Sequence, residues 1–350
     1  MSTAALQPLA NALAASGHRH LLDEVVRATN ERFALAGSWT RILAGERSLA
    51  FRLDTHNGPW FVKIEHSRPA ELSGHIAELV VLAASHDVPT ARPLASIGGR
   101  YAEVIGELVL SVSSWVDGTA MRAPVSTMQA KQIGAALGRL HRAFAELAPT
   151  PTLVTADEEP WLVWDRQETD ASFARLEALI RQRGTDPNGF DQTALETLAE
   201  RHSWLDALGQ SLTALPPLTR QAGHGDFAAP NLLFDGENLV AVVDFSAASP
   251  QLVSYEIGRI AYGPEIMLSP EPETLAATFI DAYQEANPAV SNADIAHARA
   301  CAFIQLARSI YPLDERYADQ GRFPDDLDDF WLRRHRTARS LLTSTHGGTF

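Results

Sequence analysis

Residues 224–247 read HGDFAAPNLLFDGENLVAVVDFSA, and this segment limits the fold more than any other. Asp226 and Asn231 stand five positions apart, with Asp244 thirteen further on, and a turn and a Val-rich run lie between them. Asp and Asn favour turns in any protein, so three of them between two strands has an ordinary explanation. Their even placement in an otherwise apolar segment asks for a chemical one.

Composition limits what that chemistry can serve. With 350 residues and 45% hydrophobic content the chain can bury a substantial core, as two domains or one two-lobed domain. The formal charge of −14, from 43 acidic and 29 basic residues, argues against the broad basic face that nucleic acid or an anionic membrane requires. It favours a cationic small-molecule partner. Cys301 is the one cysteine, and no Cys and His cluster has zinc spacing, which suits a reducing cytoplasm. The Ala- and Leu-rich start lacks a basic n-region and a membrane-length apolar run. It is expected to form an amphipathic helix packed on the body.

The first hundred residues alternate. WTRILAGERSLAFRLDTHNGPWFVKIEH splits at Ala44–Arg47 and at Asn57-Gly58 into three strands. Pro69–Ser85 has helical spacing, with Leu72, Ile76, Leu79, Val80 and Ala83 as its apolar positions. Gly99–Val104 and Leu108–Val116 read as two more strands, giving β-β-β-α-β-β. Beyond Val116 the pattern turns helical. Ser126 and Gln129 suit a capping box before a face of Ile133, Leu137, Leu140, His141 and Phe144. Two more helices are expected at Ala171–Arg183 and Gln192–Leu215, and residues 270–345 look helical.

Phosphoryl transfer from ATP needs a divalent ion on the phosphates, a cation beside them and a group that orients or deprotonates the attacking hydroxyl. Mg2+ takes carboxylate, amide and water oxygens, which Asp244 and Asn231 can supply. Asp226, just before Asn231, is then the candidate base or orienter. His224 would brace the loop.

The series His224-x-Asp226-x4-Asn231, then a hydrophobic strand and Asp244-Phe245, resembles the catalytic and metal loops of protein kinases. It is more similar still to aminoglycoside phosphotransferases and choline kinases. The resemblance spans about residues 35–265 and implies an α+β, two-lobed, protein-kinase-like fold. An N-terminal lobe, residues 1–116, would hold an antiparallel five-stranded sheet with one main helix. Residues 117–350 would form a larger, mostly helical lobe, with ATP in the cleft.

The same resemblance makes Lys63 the lysine of the α- and β-phosphates and Glu78 the carboxylate that positions it. The Ala44–Ser48 turn, with Gly45 and Ser48, becomes the phosphate-covering loop, and Ser114, Trp115 and Val116 the adenine-facing hinge. LGRLH, ending at His141, resembles the helix before the catalytic region, and His141 reads as a buried, hydrogen-bonded histidine rather than a catalyst. Gly45 is the only glycine in its loop, Ala228 replaces a second histidine found in many relatives, and Ser246 stands where protein kinases have glycine.

The expected activity is Mg2+-dependent transfer of the γ-phosphate of ATP to a hydroxyl of a small, cationic molecule: an amino sugar, an aminoglycoside-like antibiotic or an amino alcohol. Alternatives are a homoserine-type kinase and a nucleotide-binding pseudokinase scaffold. A protein kinase is disfavoured because no Ala-Pro-Glu segment follows Asp244. The acidic, aromatic stretch from Asp314 to Trp331 and the pair Trp161 and Trp164 are candidate substrate contacts, with a solvated loop and packing as their ordinary explanations.

Overall fold

In the segment Gly58–His66, Val62 and Ile64 are buried on one side while Phe61, Lys63 and Glu65 turn to the other, the two-residue period of a strand. The computed structural model describes residues 3–42, 48–66, 68–147, 150–182, 189–317 and 326–345. Helices α1 (Thr3–Ala15) and α2 (Leu22–Arg32) precede strands β1 (Gly37–Ile42), β2 (Ser48–Thr55) and β3 (Gly58–His66), helix α3 (Ala70–Ser85), and strands β4 (Ala102–Ile105) and β5 (Leu108–Ser114). Next come β6 (Thr119–Ala120), α4 (Thr127–Phe144), β7 (Thr152–Val154), α5 (Arg166–Gln182), α6 (Phe190–Ser203), α7 (Leu205–Thr213), β8 (Leu218–Gly223), β9 (Leu232–Asp235), β10 (Asn238–Val242) and β11 (Ser249–Leu252). Helices α8 (Val253–Ala261), α9 (Pro264–Met267), α10 (Pro272–Ala286), α11 (Asn292–Arg308), α12 (Leu313–Tyr317) and α13 (Asp326–Thr345) complete the chain.

The chain divides into two compact units, Met1–Ala120 with Pro230–Ala248, and Met121–Ala229 with Ser249–Phe350. In the first, five antiparallel strands run in the order β1-β2-β3-β5-β4, and α3 is the expected helix between β3 and β4. One face of the sheet, with Phe51, Leu53, Val62, Ile64 and Leu110, packs against Leu9 and Leu13 of α1 and Val25 of α2. The N-terminal segment is thus helical and packed, as its amphipathic pattern implies. The turn at Ala44–Arg47, including Gly45, lies outside the described residues.

The boundary expected after Val116 assigns residues 230–248 to the second lobe, yet they pack in the first unit. Backbone pairing holds them there. β9 lies between β10 and β6 in a three-stranded sheet, and Val242 donates its N–H to the Pro89 carbonyl at 2.7 Å. Leu232, Phe234 and Val242 are buried in consequence.

The second unit is mostly helical, with one small sheet ordered β11-β8-β7. α4 starts at the expected capping box: the Ser126 hydroxyl accepts from the Gln129 N–H at 3.1 Å and the Gln129 side chain from the Ser126 N–H at 3.0 Å. Gly134 lets α4 lie on α10, since a Cβ there would sit 2.1 Å from the Phe279 carbonyl oxygen. Gly258 does the same for α8 on α11, with the Ala298 carbonyl oxygen at 2.1 Å.

Trp331 is fully buried and donates its indole N–H to Thr197 at 2.9 Å. It serves the core, which Trp161 and Trp164 also flank. Of the acidic stretch from Asp314, residues 318–325 lie outside the described residues. No helix among the described residues is long and apolar enough to cross a membrane.

Candidate active site

The second face of the five-stranded sheet, α3 and the 230–246 segment enclose a cavity of about 470 Å3, lined entirely by the first unit. That is within the usual range for small-molecule pockets. Strand alternation brings Phe61, Lys63 and Glu65 of β3 to it, together with Ser48 and Ala50 of β2 and Ser111 and Ser113 of β5. Ile76, Ala77 and Val80 make an apolar wall, one stripe of α3. Ser114, Trp115 and Val116 also line the cavity. Ser114 forms the last ladder pair of β5, with Trp60, so Trp115 and Val116 follow the end of the strand.

Asn231 and Asp244 line the same cavity, and the Val243 N–H donates to the Asn231 carbonyl at 2.9 Å. Asp244 adopts the left-handed conformation, φ 58° and ψ 65°, and its carboxylate accepts from the Ser246 N–H. Asp tolerates that region better than most residues, and the turn leaves its carboxylate half exposed, with Oδ1 3.8 Å from Lys63 Nζ. One carboxylate and one side-chain amide on the cavity wall are a donor set that would suit Mg2+, an ion that keeps several waters and takes phosphate oxygens. Among the described residues no group of three or more His, Cys, Asp and Glu could hold a metal, so any ion would rely on substrate oxygens.

Glu78 does not pair with Lys63. It is 70% exposed and lies 3.7 Å from His75 on the outer side of α3. The reason is helical phase, for Ser73, Ile76, Ala77 and Val80 face the cavity and position 78 falls about 100° round from 77. Lys63 Nζ instead meets Glu65 Oε1 at 3.2 Å. Strand alternation puts Glu65 beside Lys63, a signal present in the sequence as the i, i+2 spacing of the two residues.

In the second unit Asp226 follows the buried His224, whose Nδ1 accepts from the Asp226 N–H at 3.3 Å. The Asp226 carboxylate accepts from Arg259 of α8, whose other amino group donates to Tyr255 Oη at 3.0 Å. Glu256, on the same helix, is the hub of the loop. Its carboxylate accepts from the N–H groups of His224 at 3.1 Å and Gly225 at 2.7 Å, and meets His141 Nε2 at 2.8 Å. His141 is buried and its Nδ1 reaches Tyr283 Oη at 2.7 Å, the structural place its sequence context implied.

Burial opposes the charge of Glu256. The His141 hydrogen bond and charge, the His224 charge and the Gly225 N–H nevertheless hold its carboxyl below the ordinary value. A depressed folded-state value stabilises the fold above the unfolded carboxyl pKa, and that stability is lost as pH falls through the folded one. Glu256→Ala would strand the buried His224 N–H, the part-buried Gly225 N–H and a buried histidine, costing about 3–5 kcal/mol. A fall in Tm of roughly 10 °C at neutral pH, shrinking in acid, is expected in thermal melts. An unchanged Tm would remove Glu256 as the hub.

The five-stranded antiparallel sheet with its covering helix, followed by a mostly helical unit, is the α+β architecture of protein-kinase-like folds. The phosphotransferase enzyme family matches residues 38–295, and the chain belongs to that family. It is 26% identical over 220 residues to homoserine kinase of Rhodospirillum rubrum, covering 62% of this chain and 61% of that one. The chain therefore spans less than two thirds of that relative. It is also 26% identical over 261 residues to homoserine kinase of Afipia carboxidovorans, 72% of this chain and 71% of that one. In fold it is similar to spectinomycin phosphotransferase bound to ADP and spectinomycin, with TM-score 0.64, 12% identity, and 91% and 98% of the two chains covered. A microcompartment-associated aminopropanol kinase has TM-score 0.55 at 12% identity, over 92% of this chain and 96% of that one.

Proposed function

We propose that the protein is an ATP-dependent small-molecule kinase that moves the γ-phosphate to a hydroxyl group. One observation carries this reading. A ligand-sized cavity with apolar walls holds Lys63, Asn231 and Asp244 together, which serves a base and sugar on one side and phosphates on the other. Lys63 holds the phosphates, and the backbone at Trp115 and Val116 meets adenine. Asn231 and Asp244 would hold Mg2+, which would offset phosphate charge. Asp226 orients the acceptor hydroxyl and takes its proton. The acceptor oxygen bonds to the γ-phosphorus as that atom's bond to the bridging oxygen breaks, and ADP leaves. A cytoplasmic setting, where ATP is available, suits this activity and the single buried thiol of Cys301.

For the acceptor, the net charge of −14 favours an amine-bearing molecule such as an amino sugar or amino alcohol. A second reading, an acceptor that also carries a carboxylate, such as homoserine, is supported by the charges of the second unit. Arg259 donates to Asp226. Arg334 is buried, its Nε has no hydrogen-bond partner, and burial and then the Arg259 charge push its pKa down to about 10. An anionic group would offset the charge of Arg334, whereas Arg259 is already held by Asp226 and Tyr255.

The test is Mg2+-dependent ADP release from ATP against aminoglycosides, amino sugars, choline-like amino alcohols and homoserine. A rise with one acceptor is expected and names its class. Tight MgATP binding with no acceptor response would instead favour a nucleotide-binding scaffold.

A further inference from the structure

We propose that Glu65, within β3 itself, is the positioning residue of the phosphate-binding cations, a role that α3 leaves vacant. This rests on the reading of the cavity as a nucleotide site. Glu65 is buried, and its Oε1 is shared by Lys63 Nζ at 3.2 Å and Arg68 Nη1 at 3.4 Å. Arg68 donates its other amino group to the Ser246 carbonyl at 3.2 Å. The carboxylate thus ties the lysine on the strand to the turn that carries Asp244.

Nothing acidic on α3 competes for the role. Its residue next to Glu65 is Ser73, whose hydroxyl donates to Glu65 Oε2 at 3.5 Å, and Glu78 is on the outer side. Two cations on one buried carboxylate are held there as ion pairs. Both also line the cavity, so both side chains are placed to meet a polyphosphate. Where a kinase takes this carboxylate from its helix, movement of that helix makes or breaks the lysine pair. Here the carboxylate and the lysine are two residues apart on one strand, so the pair forms whenever the sheet does. The phosphate subsite is built in and needs no helix movement.

The experiment measures Kd for MgATP, and separately for adenosine, by calorimetry on the full chain. Glu65→Gln, nearly isosteric, should weaken MgATP roughly 10- to 100-fold, the scale of losing a positioning contact, and leave adenosine affinity unchanged. Glu78→Gln should change neither. Adding Ser73→Glu to Glu65→Ala should restore part of the MgATP affinity by supplying a carboxylate from the helix. A Glu65→Gln protein with wild-type or tighter MgATP binding would show that Glu65 only occupies the lysine before ATP arrives, and would overturn the proposal. Equal loss of MgATP and adenosine would overturn it too, as a general structural effect. A wild type that binds neither would sink the nucleotide reading first, and this one with it.

Discussion

Asp226→Asn is expected to lower turnover about 10²- to 10⁴-fold, the range for a positioned acid or base, with MgATP affinity nearly unchanged. The substitution keeps the shape and one oxygen acceptor, so the contact with Arg259 survives in weakened form. It removes the negative charge and the second carboxylate oxygen, and with them the capacity to take the proton of an acceptor hydroxyl. Single-turnover kinetics with the acceptor that stimulates ADP release would separate the chemical step from binding. A kcat within a few-fold of wild type would take Asp226 out of the proton path and leave it as a loop residue.

Asp244→Ala is expected to abolish Mg2+-dependent nucleotide binding. The side chain is the only carboxylate among the metal candidates, and it lies 3.8 Å from Lys63 Nζ. Its loss leaves Asn231 to hold an ion alone and removes the acceptor for the Ser246 N–H. Alanine in the left-handed conformation at φ 58° adds strain of order 1–3 kcal/mol, so Asp244→Asn is the companion variant. It keeps the turn and an oxygen donor and gives up the charge. The measurement is Kd for ATP with and without Mg2+ in both variants. If Asp226→Asn lost as much ATP affinity as Asp244→Ala, the roles given to the two aspartates would be wrong.

The β-sheet was legible because its strands keep period two and its turns carry Asn-Gly or Gly. Asn231 and Asp244 were legible as candidates for a related reason, and Lys63 through the resemblance of its strand to that of known kinases. Polar residues at fixed spacing in apolar strands are rare, and their chemistry follows from type. The pairing of Glu78 with Lys63 failed on phase. Sequence distance placed it on the right helix, but the face depends on one residue of rotation. Glu65 was available from strand alternation, whereas Glu256, Arg259 and Arg334 were not. All three lie on helices far along the chain, and only packing brings Glu256 under the His224 loop or sets Arg259 against Asp226.

Local patterning by itself determined the β-β-β-α-β-β order and the capping box at Ser126, and it offered Asp226, Asn231 and Asp244 as candidate polar residues. Those features depend on neighbours a few residues apart, where periodicity and turn chemistry act directly. Tertiary structure decided that residues 230–248 join the first unit, that Lys63 is served by its own strand, and that one buried glutamate carries the loop before Asp226. Each of those is a choice among carboxylates of equal composition, and a carboxylate's role is set by which cations and N–H groups the folded chain places within about 3 Å of it.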